Sequence, residues 1–279
     1  MPRLRRKQSF ADRMKSRGKD MRKKAASQLD IPVARSSLVR LWRELFLGLI
    51  LEPALDFYTH RRAIGREDLA GVKGPVILVA NHRSHIDTPV ILAALPRRLR
   101  RRTVVGAAAD YFYKNKLVAL VVSFIFNTVP LDRKGGGMDK RATDHVDKLL
   151  DKGWSLLLYP EGTRSRTGDP GRVRRGAAVL AERHNLPIVP IRVSGTRDAM
   201  PPGRFWPKRI QGMLFSRRHD VEISFGKPIA PSKDPSAIAE SLARFFTSSD
   251  NGGSKNGRGA KNGNGRFARM RLRSGAGRK

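Results

Sequence analysis

Cysteine is absent from all 279 residues, which excludes disulfides, thiolate metal sites and a cysteinyl acyl-enzyme. The compartment stays open on that ground, since a chain without cysteine suits oxidising and reducing surroundings alike. Acidic residues are scarce: 24 Asp and Glu stand against 57 Lys and Arg, a formal net charge of +33. Long uncharged runs are missing too. Residues 45–51 fall far below the ~18–20 apolar residues that cross a bilayer, and the window 117–131 is broken by Asn127 and Pro130. No apolar segment follows Arg5 and Arg6 as a cleaved secretory signal needs, so a cytosolic disposition is the default expectation. There is no Gly-x-Ser-x-Gly nucleophile elbow and no internal repeat.

The positive charge is concentrated at the ends. Residues 1–27 carry 11 basic and two acidic side chains, and residues 251–279 carry nine basic and no acidic ones, so the two ends hold 18 of the 33 excess charges. Such composition predicts disorder. Its attraction is to a polyanion, an anionic lipid surface or a nucleic acid, and charge alone does not choose between them. Between the ends lies enough chain for one substantial α/β domain. The predicted organisation is a basic arm over 1–35, an amphipathic helix region over 36–60, a domain over 61–248 and a Gly/Asn/Lys/Arg-rich tail over 249–279.

Within that frame the apolar pattern is informative. Leu38, Leu41, Trp42, Leu45 and Leu49 follow a helical spacing of three and four. Two readings are open for residues 38–51: an interfacial helix with Trp42, Arg40 and Arg43 at the headgroup level, or a helix packed on the domain. Residues 61–75 read as a polar connector. The run 97–102, with five arginines, is a solvated loop or, beside an interfacial helix, a place for anionic headgroups. Residues 117–126 predict a buried helix. Strands are expected at 76–80, 103–109, 154–159, 186–195 and 221–225, the one at 186–195 at an edge or irregular position because of its prolines. Helices are expected after residue 89, to about Asp151 (with Val146, Leu149 and Leu150 inward), around 176–184 and over 237–246. This alternation predicts an α/β fold, a layered mixed sheet flanked by helices.

One stretch gathers chemistry. The apolar strand 76–80 ends in Asn81, His82, Arg83, Ser84, His85, Ile86 and Asp87, and Pro89 opens an apolar helix. Five positions apart on one helix are roughly 140° apart, so His82 and Asp87 cannot meet there. They meet if His82 stands in the loop and Asp87 opens the helix with its side chain turned back. Open α/β sheets hold ligands at such carboxyl ends. The plain alternatives are that Asp87 caps the helix and Asn81 forms a turn. His82 and His85 lack a third ligand at sensible spacing, so neither metal nor cofactor is expected, and His85 is expected to face solvent.

Asn81-His82 followed by Asp87 resembles the first motif of the glycerolipid acyltransferases, the family of 1-acyl-glycerol-3-phosphate acyltransferase. Residues 129–133, ending in Arg133, resemble the second, Tyr159-Pro160-Glu161-Gly162-Thr163-Arg164-Ser165 the third, and residues 186–190 the fourth. The resemblance spans about residues 70–230. It implies transfer of an acyl group from acyl-CoA or acyl-carrier protein to the hydroxyl of lysophosphatidic acid, with His82 as general base and Asp87 as its partner. Arg133, Glu161, Gly162, Thr163, Arg164 and Ser165 would bind the acceptor, the guanidinium groups meeting its phosphate. Arg174 and Arg175 resemble a basic element that follows the third motif. The enzyme would sit peripherally on an anionic membrane surface at its cytoplasmic face. Glycerol 3-phosphate or another lysolipid is an alternative acceptor. Nucleic-acid binding rests on the tails alone, without aromatic stacking platforms or a recognition helix.

Overall fold

The computed structural model of the protein describes residues 30–108, 116–131, 140–162, 171–201, 203–204, 206–211 and 216–247. The basic ends up to residue 29 and from residue 248 lie outside the described residues, as do Arg133, Thr163, Arg164 and Ser165.

Seven strands form one sheet in the order β1-β9-β6-β2-β5-β3-β4. They are β1 (Thr59–Ile64), β2 (Ile77–Ala80), β3 (Thr103–Ala108), β4 (Thr128–Leu131), β5 (Ser155–Leu158), β6 (Ile188–Ser194) and β9 (His219–Phe225), with a small hairpin of β7 (Ile210–Gln211) and β8 (Ser216–Arg217) apart from it. Every pairing in the large sheet is parallel except β6 with β9. This is the mixed α/β sheet expected from the alternation.

Helices cover both faces of the sheet, so its central strands carry apolar residues in unbroken runs. On β2, Leu78 and Ala80 join a core with Val90, Ile91, Val189 and Ile191, while Ile77 and Val79 join a second with Val146, Leu180 and Phe246. Leu149 and Leu150 belong to the second core and Val146 is fully buried, as their helical spacing requires.

Three expectations are resolved by the structure. First, of the edge or irregular position that Pro187 and Pro190 predict for residues 186–195, the irregular one holds, since β6 lies between β2 and β9. A bulge accommodates the ring: between the Ile188–Ile229 bridge and the Ile191–Phe225 pair, three steps of β6 face four of its partner. Pro190 still accepts through its carbonyl, from the Gly226 N–H at 2.8 Å. Second, the connector at 61–75 begins as strand: Thr59–Ile64 is β1, an edge strand whose exposed polar side chains concealed it. Third, the apolar helix Lys116–Phe126 is not buried. It covers Ala119 and Ser123 but leaves Leu117 70% exposed and Val121 49%.

The helical segment before β1 is turned the same way. Helix α1 (Ser37–Phe46) continues through a π-helical turn (Leu47–Leu51) into α2 (Glu52–Tyr58). Its buried face is polar. Arg43 donates to the carbonyls of Ala34, Ser123 and Phe124, and burial pushes its guanidinium down to about 10. Glu44 accepts a forked pair from Arg100, at 2.8 and 3.1 Å. The apolar face looks outward, with Leu38 77%, Leu45 53% and Leu49 73% exposed. No described helix is long and apolar enough to cross a membrane.

Candidate active site

Chain direction puts a crevice between β2 and β5. The chain leaving β2 crosses toward β3 on one side, and the chain leaving β5 crosses toward β6 on the other. Such a reversal opens a cleft at the carboxyl ends of the strands. His82 follows β2, Glu161 follows β5, and Thr196 follows β6, which neighbours β2.

His82 and Asp87 meet as the turned-back geometry requires. Helix α3 (Asp87–Ala94) begins at the aspartate, and His82 Nδ1 lies 2.9 Å from Asp87 Oδ2. The same oxygen accepts the N–H groups of Arg83 and Ser84, each at 2.7 Å, so the carboxylate organises the histidine loop behind it. With those two donors in place Oδ2 acts as an acceptor, Nδ1 carries the imidazole proton, and Nε2 keeps its lone pair. The Asp87 side chain is wholly buried, whereas that of His82 is 22% exposed. Asn81 forms more than a turn: its amide gives Nδ2–H to the Val193 carbonyl at 2.9 Å and accepts the Val193 N–H at 2.7 Å. His85 is exposed, and no group of metal-ligating side chains occurs among the described residues.

Two neighbours of the dyad were not singled out in the sequence: Thr196 lies outside every motif, and Tyr159 only opens the third. Thr196 donates its hydroxyl to Asp87 Oδ1 at 2.6 Å, 109 positions along the chain. Gly195 makes that approach possible. Its φ of +79° belongs to the left-handed region, and a Cβ there would stand 2.0 Å from the Asp220 carbonyl oxygen. Tyr159 stacks on the His82 ring, with centroids 4.2 Å and planes 24° apart, and shares a 2.7 Å hydrogen bond with Thr88. Burial, reinforced by the Asp87 charge, pushes the Tyr159 phenol well above its ordinary range, so it stays a neutral wall.

The turn Tyr159-Pro160-Glu161-Gly162 closes with the Gly162 N–H on the Tyr159 carbonyl at 3.1 Å. Glu161 is buried, and its Oε1 receives the His82 N–H at 3.4 Å. Burial raises its carboxyl above the usual range, against the backbone N–H groups of Gly171 and His82 and the charge of His82 and Arg83. Its Oε2 is buried with no hydrogen-bond partner among the described residues. The Arg174 guanidinium lies over Gly162, 3.0 Å from where a Cβ would be, and so borders the same turn. Arg133, Thr163, Arg164 and Ser165, expected beside this turn, lie outside the described residues.

Residues 60–194 match the family model described as Acyltransferase. The chain carries an acyltransferase-family domain. Among curated proteins this chain is 29% identical to a chloroplastic 1-acyl-sn-glycerol-3-phosphate acyltransferase of Brassica napus, over 61% of this chain and 45% of that one. It is 27% identical to a chloroplastic enzyme of the same name from Arabidopsis thaliana (67% and 48%), and 29% identical to a probable one from Mycoplasma genitalium (57% and 58%). The chain thus spans roughly half the length of these relatives. The fold resembles the crystal structure of the 1-acyl-sn-glycerophosphate acyltransferase PlsC from Thermotoga maritima, with a TM-score of 0.52 at 20% identity, covering 74% of this chain and 76% of that one. The matched residues include His82 and Asp87 and stop at Ser194, just short of Thr196.

Proposed function

We propose that this acyltransferase transfers an acyl group from a thioester, acyl-CoA or acyl-carrier protein, to the free hydroxyl of lysophosphatidic acid, forming phosphatidic acid. The observation that carries the reading is the His82–Asp87 pair, 2.9 Å apart, with Nε2 left to meet a substrate. An alcohol is a weak nucleophile at neutral pH, so a base must take its proton as it attacks. Nε2 takes that proton while the oxygen bonds to the thioester carbonyl carbon. The imidazolium that forms is steadied by Asp87, and collapse of the tetrahedral intermediate expels the thiolate, to which the proton returns.

The attacking hydroxyl is the substrate's. Among the described residues, the hydroxyls beside the dyad are engaged: Ser84 with the Met200 carbonyl, Thr88 with Tyr159, Thr196 with Asp87. Thr196 acts as a positioning residue, because it fills the Asp87 oxygen that the imidazole does not use. Arg133 and Arg164 would take the acceptor phosphate and Thr163 and Ser165 would line its site, as the motif resemblance implies, with Arg174 adding charge at the rim. Glu161 and Gly162 shape the turn. The outward apolar face of residues 38–51 supports docking to an anionic membrane surface, where both substrates partition. The cytoplasmic face is its expected side.

Turnover of the purified protein on a panel of lysolipids and glycerol 3-phosphate, with both donors, tests the assignment. Lysophosphatidic acid should be preferred, and His82→Ala should lower turnover by about 10²–10⁴-fold in a protein that still melts cooperatively. Near-normal turnover in that variant overturns the mechanism.

A further inference from the structure

The arginine-rich turn 97–102 resolves, side chain by side chain, into engaged and open cations. Arg100 is forked onto Glu44 and also meets Glu52 at 3.0 Å. Arg97 approaches Glu44, and Arg98 donates to the carbonyls of Leu69, Ala70 and Val72. Arg102 donates to the Lys152 carbonyl and lies over the Trp154 ring. For Arg101, an exposed residue, the structure gives no acceptor among the described residues.

Arg101 lines a recess of about 200 Å³ together with Ser37, Arg40 and Leu41. Arg40 is held by its other parts: one terminal nitrogen donates to Ser37 Oγ at 2.9 Å, and its guanidinium lies 5.9 Å from the Trp154 ring centre. Its Nε is buried with no acceptor among the described residues. The recess is thus walled by two guanidinium groups with donors to spare, and the geometry of a guanidinium fork matches phosphate oxygens.

This recess is not the acceptor subsite of the acyltransferase. Trp154 precedes β5, and the Ser155 N–H bonds the Arg102 carbonyl at 2.7 Å, which fixes the cluster at the amino end of that strand. His82 and Tyr159 stand past the carboxyl ends, separated by the roughly 13 Å that four strand residues span. The volume falls below the ~300–1,000 Å³ usual for an enclosed small-molecule site, which suits a headgroup whose remainder lies outside. The outside is specified too. Leu41 lines the recess and also belongs to the exposed apolar face, with Leu38 and Leu45 on the same helix side.

We propose that Arg40, Arg101 and Ser37 hold the phosphate of an anionic phospholipid headgroup, with its acyl chains against the exposed leucines of α1. The proposal rests on the reading of that apolar face as bilayer-facing. It makes part of the membrane affinity specific to one recess instead of spread over the basic surface.

The test measures flotation of the full chain with phosphatidylcholine vesicles, with and without phosphatidylglycerol, which is not the proposed product. Arg101→Gln should lower the phosphatidylglycerol-dependent increment about fivefold, and the double variant with Arg40→Gln about 25-fold, at the energy typical of one basic residue near a charged surface. Arg217→Gln, on the separate hairpin, is the charge control and should change it little. Arg101 is exposed, so its single variant keeps the test sound if Arg40→Gln disturbs the packing on Trp154. An increment that Arg101→Gln lowers no more than Arg217→Gln does overturns the site alone. Wild-type protein that floats with neither vesicle overturns the bilayer-facing reading and the site with it. Inorganic phosphate bound without vesicles, lost in Arg101→Gln while flotation is unchanged, makes the recess a free-phosphate site and overturns the lipid assignment.

Discussion

At His82 the imidazole is held from two directions, Asp87 Oδ2 at one ring edge and the Tyr159 ring against its face. Asp87 is in turn held by Thr196, and this second link has a clean test. Thr196→Val keeps the shape but removes the donor to Oδ1, leaving a wholly buried carboxylate oxygen unpaired, at a cost of about 1–3 kcal/mol. We expect kcat to fall about tenfold with KM for the acceptor nearly unchanged, and Thr196→Ser to restore most of it. A fall in stability without that split between kcat and KM would make Thr196 structural only. Glu161 offers a test of opposite sign. Its carboxyl is raised by burial, so the contribution it makes to stability is present below the ordinary carboxylate range and is lost as pH rises through the folded value. Glu161→Gln should therefore raise Tm at neutral pH, the gain shrinking in acid, while activity falls. A Tm unchanged between wild type and variant at every pH would refute that burial penalty. Sequence made His82, Asp87 and Glu161 legible because each belongs to a short motif. Thr196 was not legible, since its link to Asp87 spans 109 positions and depends on Gly195 turning where a Cβ would strike Asp220.

Among the elements, α1 shows why periodicity alone left its orientation open. The spacing of Leu38, Leu41, Trp42, Leu45 and Leu49 established an apolar face, but which face meets the domain depends on partners far along the chain. Arg43 finds the carbonyls of residues 123 and 124, and Glu44 finds Arg100, so the polar face is the one buried. The side chains of Glu44 and Arg100 are only 4% and 8% exposed. Removing one partner of such a buried pair strands the other charge, typically at 3–5 kcal/mol. Arg100→Leu should thus lower stability by about that amount in denaturant melts, and adding Glu44→Leu should recover much of it. Equal stability of Arg100→Leu and wild type would mean that the pair does not dock α1. The same reasoning covers the strands. β2 and β5 were legible as unbroken apolar runs because both their faces are buried. β1 was not, since its side chains are mostly exposed, and at β6 the prolines made an edge or irregular position legible but not which, because the bulge that lets Pro190 stand in a central strand depends on its partner β9.

For the whole molecule, the proposed membrane docking divides into a part owed to charge and a part owed to apolar surface. The chain carries a net charge of +33, which any anionic surface attracts over a Debye length of roughly 10 Å at 0.1 M salt. That part must weaken as salt rises. Burying the outward face of α1, where Trp42 stacks on Phe46 between exposed leucines, is insensitive to salt. Vesicle binding should therefore rise with anionic lipid and fall in high salt to a plateau above zero. Replacing Trp42, Leu45 and Leu49 by Gln should abolish the plateau. All three are exposed, so their loss leaves the core intact and the melting temperature close to that of wild type. Turnover of detergent-dispersed substrate should persist, because the dyad follows β2 at the carboxyl end of the sheet and none of the three touches it. A plateau that survives in the folded triple variant would move the apolar contact elsewhere, first to the exposed Leu117, Leu120 and Val121 of the helix that packs beside α1. The interfacial role of residues 38–51 would then be refuted.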